Sequence, residues 1–286
     1  MLVSIIIPTY KSWDLLEKCL SALESQTFEG DFEVLVVNND INNDIPDNLQ
    51  KFKNVKFLQE VKPGSYAARN KGLEVAAGEI IAFTDADCIP DKDWLQKGVE
   101  RLITSKAGIV AGDVKLFYKD AKKLTPGEVY DKYTGFDQEG YVKYGHCVTA
   151  NWFSRKEVLQ EFGNFNNLLK SNGDSELSGK ISEKYPVVFE PKAVVYHPAR
   201  YFISEIITKH NRLIGGTYDR KFRSDSRGFN RYVWNFIFRR FKFNANLFRK
   251  GKVKDGVMIF IAHTKLFPAI VKESRRIEKG GATERL

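Results

Sequence analysis

The chain has 286 residues, of which 43% are hydrophobic, and it carries a formal net charge of +9 at pH 7. This length and apolar content are enough for a packed core and exclude an intrinsically disordered chain. No apolar run approaches the roughly 18 to 20 residues that a membrane span requires. The N-terminal apolar run has no basic segment before it, so we predict a buried strand there and no signal peptide.

Cysteine usage gives a prediction about the cellular compartment. The cysteines Cys19, Cys88 and Cys147 are far apart and show no metal-ligand spacing. This pattern favours a reducing compartment over a disulfide scaffold or a zinc site. We therefore predict a cytoplasmic protein.

The positive charge is concentrated at the C-terminal end of the sequence. Residues 216–286 contain 18 Lys and Arg against 6 Asp and Glu, which gives +12, whereas residues 1–215 carry −3. A mildly acidic body and a strongly basic tail predict two regions, one of residues 1–215 and one of residues 216–286.

The first hundred residues alternate between strand and helix patterns. Strand patterns begin at Leu2, Phe32, Val55 and Glu79, and helical periodicity covers residues 15–23, 66–76 and 90–103. Such alternation predicts an α/β fold with a mostly parallel sheet. Ligands of these sheets bind outside the carboxyl ends of the strands.

Two carboxylates, Asp85 and Asp87, directly follow the fourth strand pattern. Carboxylates at such a position suit Mg²⁺, which completes its coordination shell with water and phosphate oxygens. The alternative is that both residues only cap a turn. An EF-hand calcium loop is excluded, because Pro90 stands where Gly is needed and Gln96 where Glu is needed.

A family resemblance runs through most of residues 1–215. It rests on VSIIIPTYK, EVLVVNND, KPGSYAARNKGLEVAAGEIIAFTDADCIP, TANWFSRKEVLQEFGNFN and GDSELSGKI. In this order and at about this spacing, the segments are similar to glycosyltransferase family 2. The resemblance implies the GT-A fold, a Rossmann-like and mostly parallel sheet flanked by helices. It also implies a nucleotide-sugar half in residues 1–88 and an acceptor half in residues 89–215.

The resemblance assigns roles to single residues. Asp85 and Asp87 would hold Mn²⁺ or Mg²⁺ on the diphosphate of a nucleotide sugar, and His197 resembles a third metal ligand. The residues that match nucleotide-binding positions are Pro8, Thr9, Tyr10, Asn38, Asn39, Gly64, Ser65, Arg69, Asp85 and Ala86.

The chain departs from the family pattern at Asn38 and Asn39, where an Asp pair commonly contacts the base or ribose. An amide both donates and accepts hydrogen bonds, whereas an ionised carboxylate only accepts them. The resemblance implies a UDP-linked donor, and this departure bears directly on that base preference.

The family also implies a catalytic base at the start of a later helix. An inverting transfer requires a group that takes the proton of the acceptor hydroxyl. Asp174 matches that position, with Gly173 in place of the usual Glu, and Glu176 is the substitute candidate. A structural role for Asp174 is an N-cap, since Leu177 and Ile181 follow at helical spacing.

The acceptor region is rich in aromatic residues between the metal segment and the base. Tyr130, Tyr133, Tyr141 and Trp152 are candidates for stacking on a sugar ring, and the alternative is that they pack beneath a loop. The QxxRW motif and the transmembrane helices of processive polysaccharide synthases are absent from the sequence. We therefore predict a single transfer rather than polymerisation.

The basic tail interleaves its charges with aromatic residues. This composition favours binding to an anionic membrane surface. Two alternatives remain, namely nucleic-acid binding and packing of the aromatics against the body. The membrane interpretation implies a lipid-linked or membrane-proximal acceptor.

These observations predict a metal-dependent inverting glycosyltransferase acting in cell-surface polysaccharide or glycolipid synthesis. It would move one sugar from a UDP-sugar to a glycan or lipid-linked acceptor at the inner face of the cytoplasmic membrane. One alternative is a non-catalytic α/β protein whose tail binds membrane or nucleic acid. A second is a nucleotidyltransferase, although the Gly-rich loop of that class is missing from PTYKSWD.

Overall fold

The computed structural model describes residues 1–283. Its centre is one eight-stranded sheet. The strands are β1 (Leu2–Thr9), β2 (Asp31–Asn38), β3 (Val55–Gln59), β4 (Ile80–Thr84), β5 (Ile89–Pro90), β6 (Ile109–Phe117), β7 (Asn151–Arg155) and β8 (Val187–Pro198).

Helices connect these strands and continue beyond the last of them. They are α1 (Trp13–Glu24), α2 (Ser65–Val75), α3 (Trp94–Ser105), α4 (Pro126–Thr134), α5 (Gln138–Val142), α6 (Lys156–Glu161), α7 (Gly173–Ser182), α8 (Ile203–Lys221), α9 (Ser226–Arg249) and α10 (Val253–Glu278). A short 3₁₀ helix covers Asp47–Leu49.

The strand order is β3-β2-β1-β4-β7-β6-β8-β5. Pairing is parallel from β3 through β4, and again between β6 and β8. Strand β7 is antiparallel to both β4 and β6. The predicted α/β fold with a mostly parallel sheet flanked by helices is confirmed.

Each face of the sheet carries its own apolar core, because side chains alternate along a strand. On β1, Ile5 and Ile7 join a cluster with α1 and α3. Ile6, between them, joins a second cluster with α2 and α7. Helices thus pack on both faces of the sheet.

A third apolar cluster joins α4 to α8, α9 and α10. Residue 215, where the sequence suggested a boundary, lies inside α8. The division into residues 1–215 and 216–286 stays a prediction. The basic tail is helical as predicted, and its last residues, Glu284, Arg285 and Leu286, lie outside the described part.

Helices α9 and α10 form an antiparallel hairpin. Near its open end Asn230 Nδ2 donates to Glu278 Oε1 over 2.9 Å. Near its turn, Gly256 gives room to the ring of Phe248, since a Cβ there would lie 2.9 Å from that ring. No helix within residues 1–283 is long and apolar enough to span a membrane.

The aromatic residues of the tail divide into two sets. Phe222, Phe229, Phe236 and Phe243 pack into the third cluster. Trp234, Phe238, Phe241 and Phe248 are exposed, with Phe238 exposed to 66%. The packing alternative therefore accounts for half of these aromatics, and the other half form an exposed apolar stripe.

Candidate active site

The carboxyl ends of four strands meet at one edge of the sheet. Strands β1, β2 and β4 run parallel to one another. Strand β7 is antiparallel to both β4 and β6, so β6 and its parallel partner β8 run in the same direction as β4. In register, Thr9 at the end of β1 faces Asn38 at the end of β2. This topology gathers the predicted site residues, which lie far apart in the sequence.

Asp85 is held by a buried cation. Arg69 Nη2 lies 2.5 Å from Asp85 Oδ1, and the Arg69 side chain is 4% exposed. Helix α2 reaches this depth because Gly72 packs directly on Ile6 of β1, where a Cβ would lie 2.5 Å away. Arg69 Nε is buried and has no hydrogen-bond partner within the described residues. The guanidinium therefore keeps an unused donor next to Asp85.

Asp87 faces an imidazole. His197 Nε2 lies 3.3 Å from Asp87 Oδ2. His197 Nδ1 lies 2.7 Å from the carbonyl oxygen of Pro198, and because a carbonyl only accepts, Nδ1 carries the proton. Burial raises the pKa of Asp87, and Asp85 adds to this, while His197 and Arg200 oppose it.

A divalent cation fits this donor set. His197 Nε2 faces a carboxylate oxygen of Asp87 over 3.3 Å, and an Nδ1–H donated to a backbone carbonyl is typical of metal-ligating histidines. Imidazole with carboxylate suits Mn²⁺. Within residues 1–283, no three acidic, His or Cys side chains form a ready-made metal cluster. Asp87 and His197 would therefore hold the ion together with phosphate oxygens and water, with Asp85 beside them.

Asp174 lies at the start of α7, next to the same group. The Tyr66 hydroxyl donates to Asp174 Oδ1 over 3.3 Å, and Asp174 Oδ1 also accepts the Ser175 N–H. Burial raises the pKa of Asp174, although Arg69 opposes the shift. The N-cap position belongs to Asn172 instead. Glu176, the substitute candidate, pairs with Lys180 at 3.0 Å.

Gly173 explains one departure from the family pattern. A Cβ at Gly173 would lie 2.8 Å from the ring of Tyr66. The Tyr66 ring stacks on Phe165, with 5.6 Å between their centroids, so it cannot easily move aside. The ring of Tyr66 occupies the space that a Glu side chain at residue 173 would need.

The ends of β1 and β2 form the side of the site where the family resemblance places the nucleotide base. Thr9 is 2% exposed, and its hydroxyl has no hydrogen-bond partner within the described residues. Pro8 is half-buried in β1, whereas Tyr10 is exposed to 41%. Ala86 is buried between the two carboxylates. The Thr9 hydroxyl is therefore a buried polar group whose hydrogen-bonding capacity the described residues leave unused.

Asn38 and Asn39 are occupied by hydrogen bonds to the chain itself. Asn38 Nδ2 donates to the carbonyls of Asp40 and Asn43 and to Gln59 Oε1. Asn39 Nδ2 donates to the carbonyls of Glu60 and Lys62, and its Oδ1 accepts the Gly64 N–H. Carboxylates could not donate these bonds. These hydrogen bonds explain why amides rather than carboxylates stand at both positions. The contact of Asn38 and Asn39 with the base or ribose stays a prediction.

Gly64 is the N-cap residue of α2, and Ser65 is the first residue of that helix. Gly64 has a φ of 122°, and no atom lies within 4 Å of a Cβ built there. Its backbone would be strained for other residues, and the space around it is open. No side chain caps the helix, so the first N–H groups of α2 can face an anion.

Similarity to known proteins fixes the family. Residues 4–163 match the profile described as Glycosyl transferase family 2. The chain is also 35% identical over 219 residues to the glycosyltransferase AglE of Haloferax volcanii, which covers 74% of this chain and 71% of AglE. The chain belongs to glycosyl transferase family 2. It is a glycosyltransferase, and the predicted family is confirmed.

Solved structures agree on the fold of this glycosyltransferase. One is the mannosyltransferase PcManGT of Pyrobaculum calidifontis in complex with GDP-Man and Mn²⁺, with a TM-score of 0.59, 20% identity, and coverage of 98% of this chain and 76% of that one. Another is residues 1–349 of S. aureus TarS in complex with UDP, with a TM-score of 0.54, 18% identity, and coverage of 98% and 92%. At this identity the similarity shows the GT-A fold.

Sequence reasoning missed a cationic side of the glycosyltransferase site. Asp131 of α4 is fully buried between Arg200, at 2.9 Å, and Lys209, at 3.5 Å. Burial lowers the pKa of Lys209 to about 8. Lys209 also lies over the ring of Phe136, and Phe136 contacts the ring of His197. Only the HPAR segment after β8 offered a sequence signal, because it places Arg200 close to His197.

The predicted aromatic wall for the acceptor is partly wrong. Tyr130 and Trp152 are completely buried, so neither can stack on a sugar. Tyr130 instead contacts His210 at 3.1 Å within the third cluster. Tyr133 and Tyr141 are half-buried and remain candidates. The burial of Tyr130 arises from α8 to α10, whose packing was not visible in the local sequence pattern.

Proposed function

We propose that this glycosyltransferase is metal-dependent and inverting. It moves one sugar from a nucleotide donor, for which UDP-sugars are the first candidates, to a glycan or lipid-linked acceptor. Asp87 and His197 would hold Mn²⁺ or Mg²⁺, and Asp85 and Arg69 would lie beside the diphosphate. The strand ends at Thr9 and Asn38 would receive the base.

One observation carries this proposal. Side-chain contacts join Asp85, Arg69, Tyr66 and the half-buried Asp174 into one group, since Tyr66 contacts both Arg69 and Asp174. The Asp87–His197 pair lies next to this group, two residues along the chain from Asp85. Acid groups with pKa values shifted by burial are typical of catalytic sites. A turn cap would not need this arrangement.

The chemistry follows from the positions of these groups. Asp174 would accept the proton of the acceptor hydroxyl, since its raised pKa strengthens it as a base. Tyr66 orients this carboxyl through its hydrogen bond. The Arg69 guanidinium holds Asp85 in place. A bound divalent cation would neutralise negative charge on the leaving diphosphate.

Calorimetric titration tests the donor site. UDP and GDP are titrated into the protein with and without Mn²⁺, and the titration is repeated on Asp87→Ala. We expect one nucleotide to bind in a metal-dependent manner and the variant to lose this binding. Asp14→Ala, an exposed acid on α1, is the matched control and should bind like the wild type.

Two outcomes separate the alternatives. If neither nucleotide binds to folded wild-type protein, the proposed donor is wrong and a non-catalytic role becomes the better explanation. A nucleotidyltransferase would instead release pyrophosphate from a nucleoside triphosphate. The proposed enzyme releases a nucleoside diphosphate from a nucleotide sugar.

We also propose that the α9–α10 hairpin docks on an anionic membrane, which would place a lipid-linked acceptor near the site. Trp234, Phe238 and Phe241 are exposed on α9, and Phe260 is exposed on α10. Beside them, a groove of 710 Å³ has apolar walls that include Ile237 and Val271. Its basic residues are Lys272, Arg275, Arg276 and Lys279. Exposed aromatics next to cations suit a negatively charged lipid interface, and vesicle flotation tests this.

A further inference from the structure

The loop before α7 (residues 162–172) packs directly on α8. Helix α8 contains two consecutive glycines, Gly215 and Gly216, in its interior. Glycine in a helix interior lowers stability relative to alanine, so the pair indicates that other segments approach the helix closely. A Cβ at Gly216 would overlap Ser171 Oγ, and the Ser171 hydroxyl donates to the carbonyl of Arg212 over 3.3 Å. The loop is therefore attached to the backbone of α8 three residues before Asp174.

Gly215 makes room for a residue that follows α10. A Cβ at Gly215 would overlap Cγ2 of Thr283. Thr283 is 5% exposed, and its hydroxyl donates to Asp219 Oδ2 of α8 over 2.7 Å. Its carbonyl oxygen accepts a hydrogen bond from Lys170 Nζ over 2.6 Å. Thr283 thus contacts both α8 and the loop residue next to Ser171.

The way in which α10 ends directs Thr283 to this place. Gly280 has a φ of 90°, in the left-handed region that follows many helices. Its N–H donates to the carbonyl of Ile277 over 2.9 Å. The Gly281 N–H donates to the carbonyl of Arg276 over 3.0 Å, which completes a Schellman motif. The turn after α10 is therefore a defined structure, and it sets the position of Thr283.

The start of α7 depends on such support from outside the helix. Its N-cap residue, Asn172, has a φ of 59°, and no side chain caps the helix. A residue with a side chain is strained in this left-handed region, and the conformation persists where the surrounding structure determines it. Asp174 itself accepts the Tyr66 hydroxyl over 3.3 Å. The orientation of Asp174 thus depends on Tyr66 and on the loop that α8 and Thr283 hold.

We propose that Thr283 is a positioning residue for the catalytic base, because it holds the loop before α7 against α8 and thereby sets the orientation of Asp174. The inference rests on the proposed function. Thr283 acts through Lys170 and the backbone of α8 rather than on the reacting atoms. A base must lie within hydrogen-bond reach of the acceptor hydroxyl, and a misplacement of about 1 Å can lower the rate about 100-fold.

Substitutions on both sides of this contact test the role. Thr283→Val keeps the shape of the side chain but removes the hydrogen bond to Asp219, and Gly215→Ala introduces the Cβ that overlaps Thr283. Thr264→Val, at an exposed threonine of α10, is the matched control. Each protein is assayed in Mn²⁺ for release of UDP or GDP from a panel of UDP- and GDP-sugars, with water as the acceptor. Affinity for UDP and GDP is measured by calorimetry, and melting is measured without nucleotide.

We expect Thr283→Val and Gly215→Ala to lower the release rate at saturating donor about 10- to 100-fold, with little change in nucleotide affinity. Thr283→Ser keeps the hydroxyl and lacks Cγ2, so it should retain the wild-type rate and restore part of the rate to Gly215→Ala. A displaced Asp174 becomes more accessible to water, so the acid limb of the rate should move to lower pH. Thr264→Val should behave as wild type.

The outcomes separate this inference from the proposed function. If wild-type protein binds no nucleotide, or releases no diphosphate from any nucleotide sugar, the proposed function fails before Thr283 is tested. Wild-type rates in both Thr283→Val and Gly215→Ala would overturn the inference. A lower melting temperature with an unmoved acid limb would show that Thr283 only supports the fold. A loss of nucleotide affinity as large as the loss of rate would assign Thr283 to the donor site instead.

Discussion

Asp174 shows how burial and hydrogen bonding act against each other in one carboxyl group. Burial raises its pKa, whereas the Ser175 N–H, the charge of Arg69 and the Tyr66 hydroxyl lower it, and the net direction is upward. A carboxylate that is costly to ionise where it lies is a better proton acceptor than an exposed one. The structure around Asp174 thus suits a base more than a helix cap.

Replacing Asp174 with Asn should separate catalysis from donor binding. We expect the rate of nucleoside diphosphate release from a nucleotide sugar to fall about 10²- to 10⁴-fold, as for loss of a general base. Nucleotide affinity should change little, because the variant keeps the shape of the side chain. Product release is measured in steady state and affinity by calorimetry. A loss of affinity as large as the loss of rate would assign Asp174 to donor binding.

The same substitution has a pH-dependent effect on stability. Because the folded-state pKa of Asp174 lies above the ordinary value of 3.8, ionisation opposes folding progressively as the pH rises above 3.8. Asp174→Asn should therefore melt higher than wild type at pH 7, and the difference should disappear near pH 3. The acid limb of the wild-type rate should likewise lie above pH 3.8. An equal melting difference at both pH values would contradict the shift.

Asp131 forms ion pairs that connect three elements of the fold. It lies on α4 and pairs with Arg200 after β8 and with Lys209 on α8. Burial alone would raise its pKa, but the charges of Lys209 and Arg200 outweigh burial and lower it. These ion pairs fix α8 against α4 and the chain that follows β8.

Removing the Asp131 carboxylate should destabilise the protein strongly. Asp131→Ala leaves two cations without their buried partner, which costs about 3 to 5 kcal/mol. Urea unfolding measures the change, and Glu100→Ala, at an exposed pair with Lys97, is the control with an expected effect below about 1 kcal/mol. Because the Asp131 pKa is lowered, the wild-type advantage should fade as the pH drops below 3.8. A loss below about 1 kcal/mol for Asp131→Ala would mean that the pairs contribute little.

Elements with strong local patterns were predictable from sequence, and those defined by distant contacts were not. Strands β1, β2 and β4 are apolar runs that lead into Thr9, Asn38 and Asp85, so both the sheet and its ligand edge were predicted. Helix α8 crosses residue 215 because its packing on α4 and α10 continues where the charge composition changes. Asp131 gave no sequence signal, since its importance depends on Arg200 and Lys209, which the chain after β8 and α8 bring to it.

One surface of the molecule combines exposed apolar side chains with exposed cations. Its exposed apolar side chains are concentrated on the α9–α10 hairpin, and they are flanked by exposed cations such as Arg231, Arg239 and Lys242. The opposite side of the same helices packs on the body through the third cluster. The hairpin thus has two apolar sides, of which only one is covered.

Vesicle flotation tests the proposal that the α9–α10 hairpin binds an anionic membrane. Wild-type protein should float with anionic vesicles and much less with neutral ones, and binding should weaken with salt. A triple variant, Trp234→Ser, Phe238→Ser and Phe241→Ser, should lose at least about 10-fold in binding, because buried aromatic area supplies much of the free energy. The control pair is Val61→Ser and Leu168→Ser, exposed at 71% and 73% away from the hairpin. Equal binding to neutral and anionic vesicles, or no effect of the triple variant, would contradict the proposal.

The burial of the cysteines has a practical consequence. Cys19, Cys88 and Cys147 are unpaired and buried, and burial raises the pKa of each thiol. Native thiols of this kind react poorly with maleimides, because the attacking nucleophile is the thiolate and not the thiol. A single cysteine introduced on the hairpin, for example Asn235→Cys, would accept a fluorescent dye selectively in the otherwise unmodified chain. Orientation and depth at a bilayer would then be readable by quenching, without first building a cysteine-free background.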